Sequence, residues 1–505
     1  MKKNKKCLFI LTCISSLSVI SSCTSNGGIG DDVILFSKDN VITTSFDGLG
    51  VEWGTYEDTN KLVNGAWDRI TTAVDRLNPH LVRCMSNFEW LVKNFDNKET
   101  SDPNDDTWEY DFNNKYMNNA CDILDYCENH DITVAFGVWN VIGNADESDD
   151  WGMIKNVTSD PRWPRLCADL MHYLINVKGY SCIKYFVNTN EPNYSGAHGA
   201  SKNAYNTYDI WETGVKNVRK AFDDAKLDID IIGGDTTGFT GSVEYLPKIA
   251  KNIPDCVNNY GIHMYISNYD IDNAVYQNNL KLLYDGVKEL DSTLGNTKNM
   301  YIWEAGLLDG KNTTTDCNAY IGNFSYGIRM ADYTIQSILS GINGVVYWDL
   351  DDAMHFMYTE TGMSAKEWGM FSTLNDATSF KQEYRPWYHS STLLTNLLST
   401  GASLYSSNSK EDAFRTIASI DKDGQNGGIV AINRNKQPVT KKFVIDKKIN
   451  SEENKIYVYF FNETNLRIGD DGFVTYNTVI DGSLNDVLEV EIPANSLVVV
   501  STRRL

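Results

Sequence analysis

From residue 46 onward, short apolar runs alternate with longer segments that are apolar on one side only. The short runs are rich in β-branched and aromatic residues and apolar almost throughout, as parallel strands buried on both faces are. The longer segments repeat apolar residues at spacings of three and four, which predicts helices. The predicted strands are 46–53, 81–85, 132–139, 183–190, 229–236, 260–265, 300–305 and 344–350. The predicted helices are 67–77, 113–129, 164–177, 208–225, 243–251, 277–294, 320–339 and 386–398.

Eight strands that alternate with eight helices predict an α/β fold, a (β/α)8 barrel over residues 46–398. After Ser399 the pattern changes to strand-like runs separated by Gly, Asn and Asp turns, without a helical pattern of any length. This predicts a C-terminal β-sandwich over residues 399–505. Its predicted strands are 414–420, 428–433, 439–445, 456–462, 473–480 and 487–501. One more apolar run, 33–36, predicts a short strand that pairs with the sandwich.

The N-terminus has the pattern of a secretory signal. Four lysines precede an apolar run over residues 7–20, which is too short to span a membrane and is followed by two serines and Cys23. This junction resembles a bacterial lipobox, which implies cleavage of residues 1–22, acylation of Cys23 and a lipid-anchored protein of the cell envelope. The alternative is an ordinary signal peptide cut nearby. Residues 23–45 are then a tether and a short strand, and the sequence leaves open which side of the outer membrane the protein faces.

Charge and cysteine content exclude several classes of function. The formal net charge is −22, and removal of residues 1–22 takes away four lysines and no acid, which leaves −26. A chain this acidic repels phosphate backbones, so nucleic acid is not expected as a partner, whereas a neutral glycan is unaffected. The cysteines after Cys23 show no Cys-x-x-Cys spacing and no accompanying histidine cluster, so neither a metal nor another cofactor is expected. They are expected to be free thiols, with one disulfide left open.

Two of the predicted barrel strands bring a glutamate to their C-terminal ends, where such barrels carry their active sites. The fourth strand stops at Pro192, and Asn190 and Glu191 are the side chains just before it. The seventh strand carries Glu304 in an otherwise apolar run. Because a buried, unpaired carboxylate is costly, Glu304 is expected to face the mouth, the C-terminal end of the barrel. The two glutamates are therefore expected to face each other across the mouth.

Two facing carboxylates suit the cleavage of a glycosidic bond. One attacks the anomeric carbon, and the other protonates the leaving oxygen and later deprotonates water. Carboxyl groups about 5–5.5 Å apart would retain the anomeric configuration, whereas a gap of about 6.5–9.5 Å would leave room for water and imply inversion.

Asn190-Glu191-Pro192 on strand four, together with Glu304 on strand seven, resembles the clan A glycoside hydrolases, which include families 30, 39, 51 and 5. By that resemblance Glu191 is the acid/base, protonated at rest, and Glu304 is the nucleophile that stays charged. Asn190 would hold the sugar 2-hydroxyl. The first strand, 46–53, departs from the opening expected in each of families 30, 39 and 51, so the substrate is not carried over from any one of them.

The resemblance extends to four more substrate-binding positions. His263 and Tyr265 match a His-x-Tyr sequence on strand six, where Tyr265 would bond the nucleophile and His263 would line the same subsite. Arg83 on strand two would help to keep the nucleophile ionised. Trp348 on strand eight would form the aromatic floor under the sugar, although core packing accounts for such a tryptophan equally well.

Three functions are compatible with these residues. The first is a retaining glycoside hydrolase, acting as a monomer on a complex, β-linked polysaccharide or its oligosaccharides. The second is a catalytically silent, surface-exposed glycan-binding lipoprotein, against which both intact glutamates argue. The third is a transglycosylase, which uses the same residues and differs only in the acceptor. A purely structural alternative makes Glu304 a buried ion-pair partner of Arg83.

Overall fold

The structure is a computed structural model, and it describes residues 18–19, 33–54, 66–93, 109–139, 162–193, 208–352, 356–359, 362–372, 383–409, 411–451 and 453–505. Eight parallel strands form a closed barrel in chain order, and the eighth pairs with the first through Gly344 and Gly48. The strands are β1 Gly48–Glu52, β2 Leu81–Asn87, β3 Thr133–Trp139, β4 Ile183–Val187, β5 Asp230–Thr237, β6 Asn259–Ile266, β7 Asn299–Leu307 and β8 Gly344–Tyr347. The predicted barrel is thus confirmed.

A helix follows each barrel strand and packs against the outside of the barrel. The helices are α1 Ala66–Leu77, α2 Lys115–Asn129, α3 Arg162–His172, α4 Tyr208–Asp224, α5 Gly238–Asn252, α6 Val275–Thr293, α7 Phe324–Leu339 and α8 Pro386–Leu397. The helix α3 continues into a π-helical turn, Tyr173–Val177, and two short helices, Phe88–Leu91 and Asn268–Asp272, lie in the loops. Three small hairpins also lie in the loops, pairing Lys311–Asn312 with Cys317–Asn318, Phe356–Thr359 with Gly362–Ala365, and Phe371–Ser372 with Glu383–Tyr384.

The interior of the barrel is filled by side chains. Tyr301 and Trp303 of β7 stack on each other, with ring centroids 5.3 Å apart, and pack with apolar residues from other strands. By contrast, Trp53 points into the helix layer, where it stacks on Trp67 of α1 at 5.8 Å. Because the interior is packed, polar side chains that point inward can meet only at the mouth.

Eight further strands and three segments from before the barrel form the predicted sandwich. These strands are β9 Ser403–Ser406, β10 Phe414–Ile420, β11 Gly427–Asn433, β12 Val439–Ile445, β13 Lys455–Phe461, β14 Thr478–Asp481, β15 Leu488–Ile492 and β16 Ser496–Ser501. The larger sheet has the order β14-β13-β16-β11-β10-β9 and ends in Val41–Thr43. In the smaller sheet, β12 lies between β15 and Val33–Phe36, which pairs with it in parallel as expected. Ser18–Val19 pairs with β15 at the other edge of that sheet.

Two predicted sandwich strands are wrong in extent. The single strand predicted over 487–501 is two strands, because Pro493 cannot continue a ladder and Asn495 has a positive φ of 44°. The chain therefore turns, and β15 and β16 belong to different sheets. The strand predicted over 473–480 is reduced to β14.

A buried ion-pair network joins the sandwich to the barrel. Asp332 of α7 is fully buried, and its two oxygens accept hydrogen bonds from Nη1 of Arg415 on β10 at 3.0 and 2.8 Å. The Nε of Arg434 lies 3.9 Å from Asp332. Burial raises the pKa of Asp332, while Arg415 and Arg434 act in the opposite direction.

Replacing Asp332 by alanine is expected to lower the free energy of unfolding by about 3–5 kcal/mol, because Arg415 is left buried without its partner. Asp285→Ala on α6 is the matched control. Its ion pair with Lys281 is half exposed, so its loss is expected to cost less than about 1 kcal/mol. Chemical denaturation of both variants provides the measurement. Equal midpoints for the two variants would show that the buried network does not stabilise the protein.

The seven cysteines after Cys23 all lie in the described part of the chain and are free thiols, as expected; they are Cys84, Cys121, Cys127, Cys167, Cys182, Cys256 and Cys317. None of the helices that the structure describes is long and apolar enough to cross a bilayer. Residues 1–17 and 20–32, which include the proposed cleavage and acylation site at Cys23, lie outside the described residues.

Candidate active site

The C-terminal ends of six barrel strands bring eight polar side chains together at the mouth. The register places them at the same height, since Glu52 lies beside Arg83 and His263 beside Glu304. The side chains are Glu52 of β1, Arg83 of β2, Asn190 and Glu191 just after β4, Asp235 of β5, His263 and Tyr265 of β6, and Glu304 of β7.

Local backbone irregularities direct the acids toward the mouth. The strand β4 ends at Val187, three residues earlier than predicted, and Glu191 has a positive φ of 44° before Pro192. Its N–H donates to the carbonyl of Asp235 at 3.1 Å. The pairing of β5 with β6 shifts between Gly234 and Thr236, and a similar shift in β7 adjoins Glu304. Such bulges re-aim single side chains, which is how a strand can turn an acid inward.

Two hydrogen-bond donors and the imidazole of His263 converge on Glu304. The Nη1 of Arg83 donates to its Oε1 at 2.8 Å, and the hydroxyl of Tyr265 donates to its Oε2 at 2.9 Å. The Nδ1 of His263 lies 3.4 Å from Oε1. Burial raises the pKa of Glu304. The positive charges of His263 and Arg83 lower this pKa, and the negative charge of Glu191 raises it further. The expectation that Glu304 stays charged did not consider burial or the charge of Glu191, both of which favour the protonated form of Glu304. His263 and Arg83 favour its ionised form.

Arg83 is completely buried and donates hydrogen bonds to several side chains of the cluster. Besides Glu304, its guanidinium donates to Glu52 at 3.0 Å, to Oδ1 of Asn190 at 2.7 Å and to Asp235 at 2.9 Å. Burial raises the pKa of Glu52 to about 8, Arg83 works against this rise, and Glu304 adds to it. Glu52 is therefore mainly protonated at neutral pH and adds no negative charge to the cluster.

His263 connects the two remaining acids. Its Nδ1 lies 3.0 Å from Oε1 of Glu191, and its Nε2 lies 2.8 Å from Oδ1 of Asp235. Burial would lower the pKa of His263, but Asp235 and then Glu304 raise it to about 10. Burial alone would raise the pKa of Asp235, but His263 and Arg83 bring it below its usual range. His263 is thus an imidazolium that donates one N–H to each acid.

The catalytic glutamates predicted from the sequence are close together. One oxygen of Glu191 and one of Glu304 lie within 4.8 Å of each other, and a ring nitrogen of His263 lies within the same distance of both. For comparison, the two carboxyl groups of retaining glycosidases lie about 5–5.5 Å apart. Glu191, His263 and Glu304 each offer one ligand atom within 4.8 Å of the others, so by spacing alone the same three side chains could also hold a metal ion.

The other predicted site residues divide into two groups. Asn190 and Tyr265 are half-buried at the mouth, and Trp348 is half-buried just beyond β8, where it packs against apolar side chains of the barrel. His263 and Arg83 are completely buried, so the expectation that His263 lines the sugar subsite is not met. These two residues contact the carboxylates, through which they can act on a substrate.

Sequence reasoning missed Glu52 and Asp235. The signal that identified Glu304, an acid at the C-terminal end of an apolar barrel strand, is present at both positions: Glu52 ends β1 and Asp235 lies near the end of β5. Applying that criterion to all eight strands would have found them.

Comparisons with known proteins identify relatives by structure alone. No protein-family model matches the chain, and no curated protein matches it. A glycoside hydrolase family 30 subfamily 8 xylanase from Clostridium acetobutylicum is similar, with 14% identity and a TM-score of 0.60 over 93% of this chain and 99% of that chain. A family 39 β-xylosidase from Caulobacter crescentus gives the same four values.

A family 51 α-L-arabinofuranosidase from Thermotoga petrophila is also similar, with 13% identity and a TM-score of 0.60 over 93% of this chain and 99% of that chain. At such identities the likeness establishes the architecture. The chain has the barrel-and-sandwich fold of these solved clan A glycoside hydrolases.

Proposed function

We propose that the protein is a retaining glycoside hydrolase in which Glu304 is the nucleophile and Glu191 the acid/base. The observation that carries the proposal is the pair of glutamate oxygens within 4.8 Å of each other across the mouth. The donors support the assignment of roles. Glu304 receives hydrogen bonds from Arg83 and Tyr265, as a nucleophile that must ionise requires, whereas Glu191 is the more exposed acid.

In the first step, a carboxylate oxygen of Glu304 forms a bond to the anomeric carbon as the bond from that carbon to the leaving oxygen breaks. Glu191 gives its proton to the leaving oxygen and becomes a carboxylate. In the second step, Glu191 takes a proton from water, the water oxygen bonds to the anomeric carbon, and the bond to Glu304 breaks. Two inversions retain the configuration.

Asn190 supports this reaction by orienting the sugar. Arginine can only donate, so the 2.7 Å contact from Arg83 fixes the amide with its oxygen toward the guanidinium. The Nδ2 group of Asn190 is then available as a donor to a sugar hydroxyl beside Glu191. Hydrogen bonds to the 2-hydroxyl strengthen in the transition states of such reactions.

The proposed substrate is a complex polysaccharide or its oligosaccharides, with β-linkages favoured. A xylanase and a β-xylosidase among the similar structures support a β-linked pentose glycan as the first to be tested. Product analysis on xylan, arabinoxylan and a set of 4-nitrophenyl glycosides, with proton NMR of the first anomer released, tests the proposal. Retained anomers are expected. Inverted anomers would overturn the mechanism, and binding without turnover on the whole set would overturn the activity.

The acid limb of the pH profile of kcat/KM should lie above the ordinary pKa of glutamate, about 4.3, because burial raises the pKa of Glu304. Only the ionised carboxylate attacks, so kcat/KM falls as the pH drops through the raised pKa of Glu304. Tyr265→Phe removes the donor to Oε2 and should move the acid limb upward by about one pH unit. An unchanged acid limb in Tyr265→Phe would show that this limb does not report Glu304.

We also propose that the protein is anchored to the bacterial cell envelope through Cys23. Metabolic labelling with radioactive palmitate tests this, with Cys23→Ser as the control. Label in the natural protein that is lost in the variant supports the anchor, whereas equal label in both, or none in either, excludes it.

A further inference from the structure

We propose that Asp235 is a positioning residue that keeps both ring nitrogens of His263 protonated, so that one imidazolium N–H serves whichever of Glu191 and Glu304 carries the negative charge. This inference rests on the two-step hydrolysis proposed above. It adds a third carboxylate, on β5, that acts through His263 without touching the sugar.

The location of Asp235 suits action from behind the site. Its side chain is buried, with 1% of the residue exposed, so a sugar in the mouth cannot reach it. Its Oδ1 accepts from His263 at 2.8 Å and its Oδ2 accepts from Arg83 at 2.9 Å. The backbone at Asp235 has a positive φ of 55° and lies at the shift in the pairing of β5 with β6. This local bulge directs the carboxylate of Asp235 at the imidazole.

The imidazole lies between the two catalytic acids. Its Nδ1 is 3.0 Å from Oε1 of Glu191 and 3.4 Å from Oε1 of Glu304. A single N–H can therefore turn from one oxygen to the other with a small rotation of the ring. Because Nε2 is engaged by Asp235, Nδ1 carries a hydrogen only when the ring is cationic.

The cation keeps the buried charges balanced in both half-reactions. At rest, Arg83 and His263 balance the negative charges of Asp235 and Glu304. In the glycosyl-enzyme Glu304 is a neutral ester and Glu191 is a carboxylate, so the same two cations balance Asp235 and Glu191. A neutral His263 would leave one buried negative charge uncompensated in each state, which is costly.

Six ionisable side chains surround His263. Each comes from the end of a different barrel strand, and one of these strands is β6, which carries His263 itself. Glu191, Glu304 and Asp235 contact the ring directly and favour its cationic form, and Asp235 does so most strongly. Glu52 lies in the next layer and is mainly neutral, as is Tyr265, whose pKa is raised well above its usual value by burial. Arg83, on the far side of Asp235, opposes the cation. Removing the charge of Asp235 therefore has the largest expected effect.

The variant Asp235→Asn keeps the shape of the side chain and removes its charge. We expect the pH profile of kcat/KM for a 4-methoxyphenyl glycoside to lie about 10- to 100-fold lower at pH 8, because a neutral His263 no longer stabilises the carboxylate that forms as Glu191 gives up its proton. A 2,4-dinitrophenyl glycoside of the same sugar needs no protonation of its leaving group, so its glycosylation rate should change less than threefold. Asp230→Asn, at the opposite end of β5, is the matched control and should leave both profiles unchanged.

The outcomes separate this inference from the proposed function. If the unaltered protein hydrolyses no glycoside, the proposed function fails. If hydrolysis retains configuration but Asp235→Asn keeps the kcat/KM of the unaltered protein on the 4-methoxyphenyl glycoside, or both leaving groups lose activity equally, Asp235 is merely structural. Nitrogen-15 NMR of His263 in the unaltered protein, assigned with His263→Gln, tests the same point even where Asp235→Asn does not fold. Two protonated ring nitrogens at pH 8 are expected, and a neutral ring there would overturn the inference.

Discussion

Replacing Glu304 by alanine is expected to lower kcat/KM by about 10⁴-fold or more, because no other group can form the covalent bond to the anomeric carbon. The fold should survive, since Arg83 keeps its hydrogen bonds to Glu52, Asn190 and Asp235. The matched control is Glu289→Ala on the exposed surface of α6, which should leave kcat/KM unchanged. Steady-state kinetics on an activated aryl glycoside provides the measurement.

Azide distinguishes loss of the nucleophile from general damage. In Glu304→Ala, azide fits the space left by the carboxylate and attacks the anomeric carbon directly, so the glycosyl azide formed should have inverted configuration. Proton NMR of that product is decisive. Activity of Glu304→Ala within tenfold of the unaltered protein would contradict the assignment of Glu304 as nucleophile.

Replacing Glu191 by alanine is expected to lower kcat/KM by about 10²–10⁴-fold for substrates whose leaving group must be protonated. The first step should be little affected for 2,4-dinitrophenyl glycosides, because that leaving group departs as an anion. Hydrolysis of the glycosyl-enzyme should then become rate-limiting, since water is no longer deprotonated. A burst of dinitrophenolate followed by slow turnover is the expected record in stopped-flow kinetics.

Azide again reports the role, with the opposite stereochemistry. It needs no general base, so it should accelerate turnover of Glu191→Ala by attacking the glycosyl-enzyme and give a glycosyl azide of retained configuration. An inverted azide from Glu191→Ala, together with a retained one from Glu304→Ala, would exchange the two roles. Equal losses for good and poor leaving groups would show that Glu191 is not the acid.

The barrel was predictable because its strands are buried on both faces and most of its helices on one, although α7 and α8 are buried almost all round. Those two patterns of burial leave clear apolar periods, and each predicted strand and helix of the barrel overlaps one in the structure, although several ends differ by a few residues. The sandwich was less predictable at its end. There the chain turns between Pro493 and Asn495, within one long apolar run, and apolar character alone does not reveal a change of sheet.

The sequence identified most residues of the site, but it did not predict how deeply each of them is buried. Glu191 and Glu304 were identified from their positions at strand ends, and the structure brings them together. His263 is completely buried because side chains from other strands, Glu191, Asp235 and Glu304 among them, pack around its ring, and a local sequence pattern does not encode such contacts. The inward turn of Asp235 depends on a bulge in β5 whose register is set by pairing with β6.

The most direct test of the central claim is to identify the residue that becomes covalently attached to the sugar. A 2,4-dinitrophenyl 2-deoxy-2-fluoroglycoside of the sugar preferred in the aryl glycoside set slows the second step, so the glycosyl-enzyme accumulates and its peptides can be mapped by mass spectrometry. The account predicts one modified peptide with the sugar on Glu304. A label on any other residue, or turnover to an inverted product without any label, would contradict it.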